Sequence, residues 1–210
     1  MTRLRLLDLF CGAGGAAMGY HRAGFDVTGV DTAAQPNYPF RFWQLDALTL
    51  EPWVLAGFDA VHASPPCQAH TTLKHMWNAA RHENLIGPTR ELLKATGLPY
   101  VIENVVGAPL HDPTMICGSS LGLKVRRHRL FETSWTLLIP PCVHAEQGRP
   151  IGVYGTGGGG QMTRGFKARG AAEAGEAMET PWMTRAECSQ AIPPAYTELI
   201  GYQLMAQVAG

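Results

Sequence analysis

Short apolar runs alternate with helical spacing through the first half of the chain. Leu4 to Leu9 is a nearly continuous apolar stretch, broken by Asp8 and followed by the turn Phe10-Cys11-Gly12-Ala13-Gly14-Gly15. It predicts a buried strand entering a tight turn. Ala16 to Ala23 predicts a short helix with Gly24 as its stop. Phe25 to Val30 predicts a second strand ending on Asp31, Phe42 to Leu45 a weaker third ending on Asp46, and Phe58 to Ala63 a fourth. The fourth runs into Ser64-Pro65-Pro66-Cys67-Gln68. Apolar spacing predicts a helix over Asn84 to Thr96, and Tyr100 to Ile102 predicts a fifth strand running into Glu103-Asn104. Strands and helices alternating at this spacing predict an α/β fold, a mostly parallel sheet with helices on both faces. Ligands of such sheets bind outside the carboxyl ends of the strands. Asp31, Asp46, Ser64 to Gln68, Glu103 and Asn104 all lie at such ends.

The second half is less regular. Leu130 to Thr133 predicts one more strand, entered through Lys124, Arg126, Arg127, His128 and Arg129. From Gly148 to Gly175 the chain is glycine-rich, with Gly157 to Gly160 consecutive and Arg164, Lys167 and Arg169 interspersed. That composition predicts a mobile loop, with order resuming at Pro181. Pro193-Pro194 precedes a last amphipathic helix, Ala195 to Val208.

Composition narrows the function classes. The 210 residues suffice for one α/β domain, and 46% hydrophobic against 16% charged excludes a disordered charged tail. Seventeen Lys+Arg balance seventeen Asp+Glu, so any nucleic-acid binding must use local patches rather than bulk charge. Five cysteines without paired spacing predict reduced thiols in a cytoplasm. The N-terminal run is too short and too soon charged for a signal peptide, and no apolar run is long enough to span a bilayer. The expectation is a soluble cytoplasmic protein with no membrane partner.

The glycine turn is either a packing device or a cradle where a ligand approaches backbone N–H groups at a helix N-terminus. Asp31 could take the two hydroxyls of a ribose, and Asp46 could accept from an exocyclic amine. Together they favour an adenosine-containing cofactor, while the lack of GxGxxG or GK[ST] argues against a dinucleotide or ATP. A lone intracellular cysteine is commonly a small buried hydrophobe. Cys67, however, follows a strand end in a Pro-Pro turn, where a rigid backbone can aim its sulfur. A thiol with an ordinary pKa of ~8.5 is mostly protonated at neutral pH, so it needs a cationic neighbour; Arg127 and Arg129 are candidates. Glu103 is either an exposed strand-end carboxylate or a carboxyl beside Cys67 that shares a proton with a ring nitrogen. Neighbouring strand ends lie only ~5 Å apart, so both loops can meet over one substrate.

The segments Asp8-Leu9-Phe10-Cys11-Gly12-Ala13-Gly14-Gly15, Pro65-Pro66-Cys67-Gln68 and Glu103-Asn104-Val105, in this order, resemble the DNA (cytosine-5)-methyltransferase family. Arg127 and Arg129 fall on the arginines of that family's QxRxR motif. The similarity runs from Leu4 to Phe131 and more faintly from Thr184 onward. It implies a Rossmann-like S-adenosylmethionine-dependent methyltransferase fold. In that reading Phe10 stacks on the adenine of S-adenosyl-L-methionine, Gly12, Gly14 and Gly15 cradle its methionine part, and Asp31 and Asp46 bind ribose and adenine amine. Pro65 lines the pocket, and Gln190 stands where the family's GNxV motif has Asn. Cys67 attacks C6 of a flipped cytosine, Glu103 binds N3 and the exocyclic amine, and Arg127 and Arg129 hold the ring and its O2.

The chain departs from the family in two places. Val125 replaces the glutamine of QxRxR, and only Trp135 to Thr180 separates that motif from the LTxxE-like Thr184-Arg185-Ala186-Glu187. The implied layout is a catalytic and cofactor core over 1–135, a reduced, glycine-rich recognition segment over 136–180 and a C-terminal segment, 181–210, packing back on the core. Gln68, Arg164, Lys167 and Arg169 are the implied DNA contacts, and so compact a form implies a bacterial or phage setting. The alternatives are a DNA- or cofactor-binding subunit that needs a second chain for target recognition, or an enzyme acting on single-stranded DNA, free nucleotides or a modified cofactor. Cys142 and His144, with Cys117 or Cys188, lack the tight Cys/His pairs of structural zinc sites, so no metal is expected.

Overall fold

The computed structural model describes residues 3–66, 84–154 and 166–208. Seven strands form one sheet in the order β3-β2-β1-β4-β5-β7-β6. In chain order they are β1 Arg5–Leu9, β2 Asp26–Asp31, β3 Arg41–Gln44, β4 Ala60–Ala63, β5 Tyr100–Asn104, β6 Thr114–Ile116 and β7 Arg129–Thr133. The first five pair in parallel, and β7 runs antiparallel to both β5 and β6. Strand order reverses between β1 and β4, and the crevice beyond their carboxyl ends is where doubly wound sheets bind ligands.

The apolar runs are continuous because both faces of the sheet are covered. Leu6 and Val27 pack toward helices α1 (Gly15–Ala23) and α6 (Pro194–Val208). Leu7, Leu9 and Val30 pack on the opposite face, with Leu55 of the short α2 (Pro52–Leu55) and Leu93 of α3 (Ile86–Thr96). Leu6, Leu7 and Leu9 are fully buried, each worth about 1.5–3 kcal/mol of apolar transfer. Helices α1 and α6 touch through Gly19, where a Cβ would collide with the Pro194 carbonyl and the Thr197 hydroxyl. That contact lets Thr197 Oγ1 donate to the Ala16 carbonyl at 2.8 Å.

The strands and helices expected from sequence form within one to two residues of their expected ends. The second half is more ordered than its composition implies. Regular structure is present ahead of Pro181: β9 (Phe166–Lys167) pairs with β8 (Ile151–Gly152), and α4 (Ala171–Met178) follows. Ala174, Ala177 and Met178 of α4, with Leu137, Val153 and Ala168, belong to the same core cluster as Leu6 and Val27. An alanine-rich helix carries little hydrophobic signal but has strong helix propensity, which is why composition alone missed it. Helix α5 (Arg185–Gln190) starts at a capping box, with Thr184 and Glu187 bonding reciprocally to each other's backbone N–H. Among the described residues, no helix is long and apolar enough to cross a membrane.

Candidate active site

The glycine turn after β1 is built on left-handed backbone. Phe10, Gly12 and Gly14 have φ of 57°, 49° and 82°, a conformation costly for phenylalanine. Gly14, the N-cap of α1, brings no capping side chain, and the first turn of the helix has no acidic residue. Asp31 at the end of β2 ties the turn down. Its Oδ2 accepts from Gly12 N and its Oδ1 from Ala33 N, both at 3.0 Å. Asp46 follows β3, is exposed, and caps a short 3-10 turn by accepting from Leu48 N at 2.9 Å. The segment carrying Gln190 lies against the same turn, since a Cβ on Gly15 would strike the Ile192 carbonyl. Phe10, Gly12, Gly14, Gly15 and Asp31 therefore gather around the start of α1, with exposed Gln190 two residues before the Ile192 contact and Asp46 two strands away from β1.

Cys11, within the turn, is no candidate nucleophile. Burial, with Asp8 and Asp31 nearby, pushes its thiol well above the ordinary range. Asp8, next to the carboxyl end of β1, is the residue that the sequence reading left without a role. It is fully buried and neither carboxylate oxygen has a hydrogen-bond partner in good geometry. Burial pushes it well above the usual carboxylate range and Asp31 adds to this, while the Ala17 amide opposes it. The signal was present in the sequence as the one carboxylate interrupting an apolar strand.

At the end of β4, Pro65 is buried and its carbonyl accepts from Asn104 Nδ2 at 2.9 Å. Asn104 Oδ1 in turn accepts from Val105 N. The end of β5 thus holds the first proline of the Pro-Pro turn. Cys67 and Gln68, which follow that turn, and Arg164 lie outside the described residues.

Glu103 sits beside Asn104 on β5, 6% exposed. Arg129, entering β7, places Nε 3.0 Å from Glu103 Oε1. The contact is a charge pair without hydrogen-bond alignment, so Oε1 remains a buried oxygen lacking a hydrogen-bond partner. Burial pushes the Glu103 carboxyl above its ordinary range, and Arg129, Arg127 and a hydrogen bond from Ser64 pull against it.

A buried chain of polar groups backs this carboxyl. Tyr20 Oη lies 2.9 Å from His62 Nδ1, and His62 Nε2 lies 2.9 Å from Ser64 Oγ. Burial pushes the His62 imidazole down to about 3, so the ring is neutral and each nitrogen takes one role. With the proton on Nε2, Tyr20 donates to His62, His62 to Ser64, and Ser64 to Glu103. Neither Tyr20 nor His62 carries a local motif, so sequence alone could not pair them across 42 positions.

Arg127 differs from the expectation that it holds the substrate ring. Its guanidinium is spent on backbone carbonyls: Nε donates to Ala191, Nη1 to Val153 and Nη2 to Ser189, at 2.8, 3.0 and 2.8 Å. It is buried, at φ 36°, and burial together with Arg129 pushes it down to about 9. Arg127 is a tie between the β7 entry and the segment after α5, and Arg129 alone faces Glu103. Nearby, Lys124 pairs with Glu176 at 2.6 Å and Arg126 donates to Gln147. Lys167 and Arg169 are exposed on either side of buried Ala168. Alternation along an extended segment puts both on one side.

No model of a known protein family matches this sequence, and no curated protein sequence is similar to it. Solved structures are similar over nearly the whole length. An inferred DNA modification methyltransferase encoded within an E. coli prophage superposes with a TM-score of 0.71 at 15% identity, over 99% of this chain and 100% of that one. Entamoeba histolytica methyltransferase EhMeth superposes at 0.66 and 10% identity, over 99% of both chains. Spodoptera frugiperda DNMT2 superposes at 0.62 and 12% identity, over 99% of this chain and 100% of that one. The fold is the Rossmann-like methyltransferase fold. In this chain's sheet the antiparallel β7 lies between β5 and β6.

Proposed function

We propose that this protein transfers a methyl group from S-adenosyl-L-methionine to C5 of cytosine in DNA, through a covalent bond between Cys67 and C6. The observation that carries the reading is the buried Glu103–Arg129 pair at the end of β5, next to Pro65, whose carbonyl Asn104 holds and which precedes Cys67 by two residues in the sequence. The likeness to the prophage-encoded DNA modification methyltransferase and to DNMT2 supports it.

The cofactor fits the glycine turn. Gly12 leaves open space for close approach, whereas Gly14 packs against Tyr38 and Pro39 and serves the left-handed turn itself. Asp31, already fixed by two backbone N–H groups, has lone pairs left for ribose hydroxyls. Asp46 keeps one carboxylate oxygen free of its capping bond for the adenine amine, with Phe10, Gly15, Pro65 and Gln190 as the remaining walls. S-adenosyl-L-methionine bound there supplies an electrophilic methyl group.

The residues of the chain make the cytosine nucleophilic. C5 of cytosine is electron-poor and does not attack unaided. The Cys67 thiolate forms a bond to C6, and the ring's displaced electron pair moves toward N3, where a protonated Glu103 offsets the charge. Burial pushes the Glu103 carboxyl up, in the direction that favours taking the proton this step needs, while Arg129 pulls it down. Arg129, paired with Glu103, is assigned to O2. The enamine then places electron density on C5, which takes the methyl group. Loss of the C5 proton restores the double bond and expels Cys67 as thiolate. A base stacked in duplex DNA must be flipped out to reach this site. Lys167 and Arg169, with Arg164 and Gln68, are assigned to the DNA, within a recognition segment over 136–180 that shares one core with residues 1–135 and 181–210.

A fluorine at C5 tests the covalent step, because it cannot leave as a proton does. Protein incubated with S-adenosyl-L-methionine and DNA containing 5-fluorocytosine should form a denaturation-resistant adduct on Cys67. A Cys67→Ser chain that forms the same adduct would overturn the assignment.

A further inference from the structure

Four side chains outside the site converge at the outer edge of the sheet. Cys117 directly follows β6, His128 directly precedes β7, and Cys142 and His144 belong to residues 134–150, which form neither helix nor strand. Their ligating atoms all lie within 4.8 Å of one another. Cys117 Sγ is 3.2 Å from His144 Nε2, and Cys142 Sγ is 3.7 Å from His128 Nε2. The two imidazoles stand 5.1 Å apart between centroids at 61°.

We propose that Cys117, His128, Cys142 and His144 bind a structural zinc ion. Zinc–sulfur bonds of ~2.3 Å and zinc–nitrogen bonds of ~2.0–2.1 Å at tetrahedral angles put neighbouring S and N donors ~3.5 Å apart. The two observed sulfur–nitrogen distances straddle that value. Two sulfurs and two nitrogens in a tetrahedron select zinc over calcium or magnesium, which need oxygen ligands. Four protein ligands close the coordination shell, which marks a structural ion rather than a catalytic one. The sequence hides the set because only Cys142 and His144 are close in the chain; the fold brings the other two.

The surroundings hold the donors in place without the ion. Ser119 Oγ lies 3.1 Å from Cys117 Sγ and accepts from Val143 N at 3.2 Å. Gly118 N donates to the Arg126 carbonyl at 2.7 Å. Gln147 Nε2 donates to the Leu123 and Val125 carbonyls, both at 2.9 Å, while its Oε1 accepts from Arg126. Zinc here fastens a long irregular segment that has few buried apolar side chains of its own. It also fixes His128, whose neighbours in the chain are Arg127 and Arg129. The ion would thus hold the strand entry that carries Arg129 to Glu103, although the metal assignment stands on its own geometry.

The test is the metal content of the full chain, purified without chelator. Atomic emission should find about one zinc per chain, falling to a small fraction in Cys142→Ser and in His144→Ala, and unchanged in Cys188→Ala, whose thiol lies outside the cluster. Cys142 is exposed, so its replacement removes a ligand without opening the core. Cobalt added to stripped protein should give the intense visible bands of a tetrahedral site, weakened by the same two substitutions. Folded protein that neither retains zinc nor takes up cobalt would overturn the proposal. So would a cobalt spectrum indifferent to Cys142→Ser, or a Cys117–Cys142 disulfide in protein from a reducing cytoplasm.

Discussion

Arg129 Nε lies 3.0 Å from Glu103 Oε1, and both side chains are largely buried at the junction of β5 and β7. Two forces act on the carboxyl in opposite directions. Burial raises it, and the guanidinium lowers it. The net direction is upward, toward the protonated form that a ring nitrogen would engage. Glu103→Gln preserves shape but removes that proton exchange. It should lower kcat on DNA by about 10²–10⁴-fold, the range for losing a general acid. Cofactor affinity, measured by calorimetry, should stay within a few-fold. An equal loss in cofactor binding would place Glu103 in the wrong pocket.

Arg127 carries a different prediction because three buried carbonyls depend on it. Arg127→Lys keeps the charge but not the planar fork that reaches Ala191, Val153 and Ser189. Each carbonyl left unpaired costs about 1–3 kcal/mol, so chemical denaturation should show a loss of about 3 kcal/mol or more. Arg129→Lys, with one aligned partner in the His128 carbonyl, should cost well under half as much while impairing turnover more. Equal losses of stability would contradict the division of roles.

The strands and the crevice were legible in the sequence because buried parallel strands are continuous apolar runs, and their polar ends stand out against them. That is how the sequence singles out Phe10 to Gly15, Asp31 and Glu103 as strand-end residues. Arg127 was misread because its partners are backbone carbonyls from α5's end and β8's exit, which no side-chain motif records. Helix α4 was hidden by its alanines and glycines. Asn104 was visible within its motif, but its bond to the Pro65 carbonyl is a matter of register between β4 and β5. The Tyr20–His62–Ser64 chain depends on contacts between β4 and α1 that sequence separation conceals.

Asp8 predicts a pH dependence. Its folded pKa is raised by burial and by Asp31, so the folded state binds the proton more tightly than the unfolded chain does. Its contribution to stability is complete below the unfolded value of about 3.9 and is lost as pH rises toward the folded one, at about 1.4 kcal/mol per unit. Asp8→Asn removes that titration. The difference in Tm between Asp8→Asn and the native chain should therefore shift in favour of the variant as pH rises from about 5 to about 8. A difference that stays flat, or moves the other way, would mean that Asp8 is not held protonated by its surroundings.

The central claim is the reaction itself, and nucleoside mass spectrometry tests it most directly. DNA would be taken from a methylation-free bacterial host expressing the full chain, beside a host expressing Cys67→Ala at the same level. The account predicts 5-methylcytosine with the native chain and none with the variant. Equal 5-methylcytosine in both samples would contradict Cys67 as nucleophile, and a methylated base other than 5-methylcytosine, made only by the native chain, would contradict the assigned reaction.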